Sequence, residues 1–129
     1  MKNTLIALNI SLIAILGILV SWKHEIVYVY EPEVIQAEVS AYSEIDSCHY
    51  ENCIMANGKP AKVGYIACPR YLPLGAIVEL LGASYECGDR TAKWVDGRFD
   101  VFIGYGKESH RKALNFGIKT IEVTVLNNL

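Results

Sequence analysis

Residues 87–104 read C-G-D-R-T-A-K-W-V-D-G-R-F-D-V-F-I-G, which sets three carboxylates, two arginines and three glycines beside one short alternating run. From 98 to 103 the alternation predicts a strand with Phe99, Val101 and Ile103 on one face and Arg98, Asp100 and Phe102 on the other. Asp100 then points away from the purely apolar face. A carboxylate held on a strand beside a large aromatic is partly desolvated, which raises its pKa and suits it to donate a proton. The plainer alternative is an exposed aspartate paired with Arg98 or Arg90 on a solvated sheet face.

Working outward, the same strand-like texture recurs. The 129-residue chain has room for one domain of modest size once an N-terminal apolar segment is set aside. A formal charge of -2 and no cluster of lysines and arginines leave no electrostatic footprint for nucleic acid. Valine, isoleucine, threonine and aromatics are frequent and long amphipathic helical patterns are missing, so the expected fold is all-β. Residues 37–43 (A-E-V-S-A-Y-S), 63–67, 76–81, 85–87 and 120–126 read as further strands. Asn57-Gly58 marks a turn, residues 68–75 (C-P-R-Y-L-P-L-G) form a structured turn, and residues 82–84 form a tight one. Residues 107–116 read as a short helix closed by Gly117, with Ala113, Leu114 and Phe116 as its apolar positions. Short strands with one small helix predict a compact barrel over residues 37–129.

Residues 4–22 carry no charge, follow Lys2 and end on Trp22, the pattern of an export or membrane segment. With no small-residue cleavage site after it, an uncleaved anchor over 1–22 is the expectation, with a cleaved signal peptide as the alternative. Residues 23–36 read as a spacer broken at Pro32. The domain is thus expected on the exported side, facing periplasm or cell wall. An even set of cysteines there, Cys48, Cys53, Cys68 and Cys87, implies two disulfides, with three connectivities open. Cys48 with Cys53 and Cys68 with Cys87 is the favoured pairing. The spacings suit zinc poorly, so no metal and no cofactor is expected. His49 and His110 read as ordinary surface residues.

The runs I-A-C-P-R-Y-L-P-L-G (66–75), D-R-T-A-K-W-V-D-G-R-F-D-V-F-I-G (89–104), K-A-L-N-F-G (112–117) and T-I-E-V-T-V-L (120–126) together resemble the three-aspartate domain of exported bacterial cell-wall proteins. That domain is similar to the barrel of membrane-bound lytic transglycosylase A. The resemblance implies a six-stranded double-psi β-barrel with peptidoglycan glycan strands as partner. It places the family's second aspartate on Asp89 and its third on Asp100, while Cys68 stands at the first position and Thr91 and Ala92 replace two glycines. It further implies that Asp100 is the single general acid and base for cleaving the bond between N-acetylmuramic acid and N-acetylglucosamine, with Asp89 supporting it. Tyr42, Tyr65 and Trp94 are candidates for stacking on sugar faces, and Arg98 for binding substrate. A non-catalytic glycan-binding module on the same barrel is the alternative, and a disulfide-braced structural domain is a third.

Overall fold

A computed structural model describes residues 31–47 and 53–126 of the chain. The segment expected to be an anchor, most of the spacer, and Cys48 and His49 lie outside the described residues. Among the described residues no helix is long and apolar enough to cross a membrane.

The strands are β1 (Glu33–Ser43), β2 (Tyr65–Cys68), β3 (Ile77–Leu80), β4 (Ala83–Arg90), β5 (Phe99–Gly104) and β6 (Lys119–Leu126). A single turn of helix, α1 (Glu44–Ser47), follows β1, and α2 (Gly106–Phe116) lies between β5 and β6. The strands close into a barrel in the order β1-β5-β2-β4-β3-β6. Two of its six seams are parallel, β1 with β5 and β2 with β4; the others are antiparallel.

The period-two pattern explains the core. Val39, Ile66, Cys68, Val78, Leu80, Cys87, Phe99, Val101, Val123 and Val125 point inward from all six strands and fill the barrel. The disulfide joining Cys68 to Cys87 lies within this cluster, both residues being fully buried. Cys53 is also disulfide-bonded.

The outward face of β5 differs from an exposed sheet surface. Phe102 is buried in a second cluster with Tyr42, Tyr65 and Ala67 from neighbouring strands and Cys53, Met55 and Ala61 from the segment before β2. That segment lies over the outer wall because it is bonded to it. The Asn57 amide donates to the Gly88 carbonyl at 3.0 Å, and the Tyr105 hydroxyl donates to the Ala61 carbonyl at 2.7 Å. A β-bulge makes room for this contact. Ile66 faces Cys87 but Ala67 faces Asp89, so Gly88 is the extra residue. A Cβ on Gly88 would come within 2.5 Å of the Tyr65 ring and 3.0 Å of Asn57 Nδ2, so only glycine fits.

Several boundaries differ from the sequence reading. β1 begins at Glu33, because residues 33–36, expected in the spacer, pair with β6 along the register Glu33 to Val125 through Gln36 to Glu122. β2 starts two residues later and ends one later than expected: Val63 is exposed, and the strand runs from Tyr65 to Cys68. The β3–β4 hairpin turns at Leu81 and Gly82, both with positive φ, and Ser84 already belongs to β4. The helix starts one residue early and ends at Gly117 as expected, although Leu114 is exposed and only Ala113 is buried.

Candidate functional site: a carboxylate row on the outer barrel wall

Asp89 and Asp100 come together through pairing rather than through nearness in sequence. Ala67 on β2 is in register with Asp89 on β4 and with Asp100 on β5, and Asp100 is in register with Ser40 on β1. The four residues form one row across four adjacent strands, in the order Ser40, Asp100, Ala67, Asp89. The small Ala67 side chain, itself buried in the second cluster, lies between the two carboxylates. Above the row lies the aromatic cluster of Tyr42, Phe102 and Tyr65. Below it Arg98 pairs with Glu38 at 3.0 Å, and the segments after β2 and β4 begin.

The two carboxylates have different surroundings. Asp100 is half-buried, and burial pushes its pKa from 3.8 up to about 6. The Ser40 hydroxyl, donating to Asp100 Oδ1 at 3.0 Å, and the Arg98 guanidinium hold it down, while the charges of Asp46 and Asp89 push it further up. Asp89 accepts three hydrogen bonds. The amides of Ala56 and Arg90 donate to its Oδ1 at 3.1 and 2.9 Å, and the Tyr42 hydroxyl donates to its Oδ2 at 3.0 Å. Three donors fit an acceptor-only carboxylate fixed in place. The row therefore pairs one anchored carboxylate with one whose proton is exchanged near neutrality.

The other residues singled out in the sequence are divided. Tyr42 and Tyr65 are each only 5 % exposed, so their rings pack the aromatic cluster and offer no open face for stacking. Tyr42 meets the Phe102 ring edge to face at 5.2 Å, and Phe102 in turn meets Tyr105 at 5.4 Å. Burial and the charge of Asp89 keep the Tyr42 hydroxyl protonated well above the usual range. Trp94 is 88 % exposed on a 3-10 turn over Lys93–Val95. Arg98 is bound to Glu38, and its Nε is buried with no partner among the described residues. Cys68 points into the barrel core, so the row holds two carboxylates and the sulfur stays out of it.

Sequence reasoning missed three participants. Ser40 shows no local signal; only the pairing of β1 with β5 brings it to Asp100. Asp46 and His110 are 64 positions apart, and the ring of His110 meets Asp46 Oδ1 at 3.0 Å. Asp46 also accepts from the Ser43 amide at 2.8 Å and the Ser43 hydroxyl at 2.9 Å. Partial burial pushes the Asp46 pKa up, but these donors and His110 outweigh it and hold it below its ordinary value. His110, expected to be an ordinary surface residue, thus ties α2 to α1 beside the row. Asp96, readable only as a turn residue, accepts from the Arg70 amide at 3.1 Å.

Among the described residues no group of three or more histidines, cysteines or carboxylates is placed to hold a metal ion. A shallow cavity of about 480 Å³ lies along the β3–β4 hairpin and β6, lined by Glu79, Leu81, Ser84 and Glu122. It lies toward the other end of β4 and contains no residue of the row. The row combines a carboxyl group of raised pKa with a second negative charge across β2. That arrangement can deliver a proton to a leaving oxygen and take one back. No protein-family model matches the chain, and no curated protein is similar enough to be called a relative.

Proposed function

We propose that the domain cleaves peptidoglycan glycan strands as a lytic transglycosylase, with Asp100 as the single general acid and base. The observation that carries this reading is the raised pKa of Asp100 beside an anchored second carboxylate on one wall of a closed barrel. The two parallel seams within an otherwise antiparallel six-stranded barrel support the double-psi arrangement that the sequence resemblance implies. Protonated Asp100 gives its proton to the glycosidic oxygen, which leaves with N-acetylglucosamine as the bond to the anomeric carbon of N-acetylmuramic acid breaks. The muramic C6 hydroxyl oxygen then bonds to that carbon, and the Asp100 carboxylate takes the hydroxyl proton. The acid is regenerated and no water is consumed. Asp89 acts through its charge, favouring the protonated form of Asp100.

The surroundings of the chemistry fit the same reading. An exported domain anchored by residues 1–22 would meet the cell wall directly. A non-catalytic glycan-binding module on the same barrel is the second reading, favoured by Cys68, which stands in the core where the family pattern has its first aspartate. Digestion of purified peptidoglycan followed by mass spectrometry separates the two. Anhydromuramic ends released by the wild type and missing with Asp100→Asn support cleavage; glycan binding with no such ends from either protein supports the module.

A further inference from the structure

At the lower end of the row stand two segments that are bonded to each other. One follows β2 and carries Arg70 and Tyr71; the other follows β4 and carries Trp94 and Asp96. Arg70 links them three ways. Its amide donates to Asp96 Oδ1 at 3.1 Å, its guanidinium donates to the Thr91 carbonyl at 3.3 Å, and the same guanidinium stands 4.0 Å from Asp96 Oδ1. Arg90, at the end of β4, adds donations to the carbonyls of Pro69 at 2.9 Å and Leu72 at 2.6 Å. Both segments are therefore held to the barrel end that carries Arg98 and Asp100.

On this braced frame two large aromatic side chains stand in solvent: Trp94 at 88 % and Tyr71 at 62 % exposure. Scattered exposed apolar residues are ordinary, but these two sit on separate segments that a shared set of hydrogen bonds brings together beside a carboxylate row. Partial burial raises the pKa of the Tyr71 phenol, and the nearby charges of Glu33, at the start of β1, and of Asp96 add to it. Rings already held by their scaffold lose little freedom when a ligand stacks on them. A sugar ring has the matching chemistry, with a C–H face for the aromatic and hydroxyls for neighbouring polar groups. Arg70 and Asp96 supply those polar groups, each with about two-fifths of its side chain exposed.

From this frame we infer that Tyr71 and Trp94, braced by Arg70 and Asp96, form a glycan-binding subsite that grips the strand beyond the bond presented to Asp100. The subsite rests on the glycan-cleaving reading of the row, since that reading says which ligand the row would meet. It assigns binding to a part of the chain that takes no part in proton transfer. Loss of either ring therefore weakens substrate capture and leaves the proton-transfer pH dependence of the bound complex in place.

The test uses Asp100→Asn protein, which holds the strand without cutting it, and a soluble tetrasaccharide of alternating N-acetylglucosamine and N-acetylmuramic acid titrated by calorimetry. Adding Trp94→Ala should weaken binding about tenfold and adding Tyr71→Ala several-fold, with the unfolding midpoint unchanged. Leu81→Asn, at the exposed hairpin tip toward the other end of β4, should bind like its parent. Binding within twofold of the parent for both ring variants overturns the subsite and leaves the role of Asp100 standing. If the parent does not bind the tetrasaccharide and the wild type releases no anhydromuramic ends, the cleaving reading fails and takes the subsite with it. Ring variants that keep glycan binding but lose binding to anionic lipid vesicles mark the pair as a membrane contact, which also overturns the proposal.

Discussion

Asp89 and Asp100 are both in register with Ala67, one on each side of β2, so a single alanine separates two carboxylates that stand 11 positions apart in sequence. The small residue between them and the bulge at Gly88 are as much part of the site as the acids. Without the extra residue at 88, the side chain after Cys87 in register would be displaced and Asp89 would turn to the other face.

If Asp100 is the acid of the proposed cleavage, it sets the pH dependence. Its proton must be present for the first step, so kcat/KM should be highest in acid and fall as pH rises through about 6. Ser40→Ala removes the donor that favours the charged form and should move this limb upward by roughly half a unit. A rate profile on soluble glycan checks both.

Stability should run the same way as the proton. The folded pKa of about 6 lies above the ordinary 3.8, so the favourable contribution of Asp100 is fully present below about pH 4 and is lost as pH rises through 6. Asp100→Asn should therefore stabilise the domain at pH 8 by on the order of 2 kcal/mol while abolishing cleavage. Urea unfolding at pH 4 and pH 8 measures the difference, which should vanish at the lower pH.

The Cys68–Cys87 disulfide closes a loop of 19 positions inside the barrel core. Replacing both cysteines by alanine should cost roughly 3 kcal/mol through the freed unfolded chain, with a further loss from the packing of two buried sulfurs. Denaturant unfolding of the double variant tests this, and its folded fraction should keep the order of the row.

Gly88→Ala should destabilise by about 1–3 kcal/mol, because the added methyl meets the buried Tyr65 ring. The same change pushes the Asn57 turn off the outer wall and loosens the Ala56 amide from Asp89. Faster amide exchange at Asn57 and Ala56 would register that release.

Much of the barrel was legible because alternation names its inward residues directly. Phe99 and Val101 fall where the pattern puts them, and the Asn57-Gly58 turn and Gly117 cap stand as read. The start of β1 was not legible, since Pro32 looks like a spacer break and only pairing with β6 recruits residues 33–36. Asp89 and Asp100 could be picked out from their motif, yet Ser40, Asp46 and His110 could not. Their roles depend on contacts across 60 or more positions, for which neither periodicity nor turn chemistry carries a signal. Tyr42 and Tyr65 illustrate the reverse. Aromatics near an acidic site look like sugar platforms until the segment over residues 53–61 is seen to bury them.

If Asp100 both gives and takes the proton, no oxygen from water enters the product. Digestion of peptidoglycan in heavy-oxygen water, followed by mass spectrometry of the released ends, tests it most directly. Anhydromuramic ends free of heavy oxygen are expected from the wild type and none from Asp100→Asn. Reducing ends that carry heavy oxygen, or anhydromuramic ends still formed by Asp100→Asn, would contradict it.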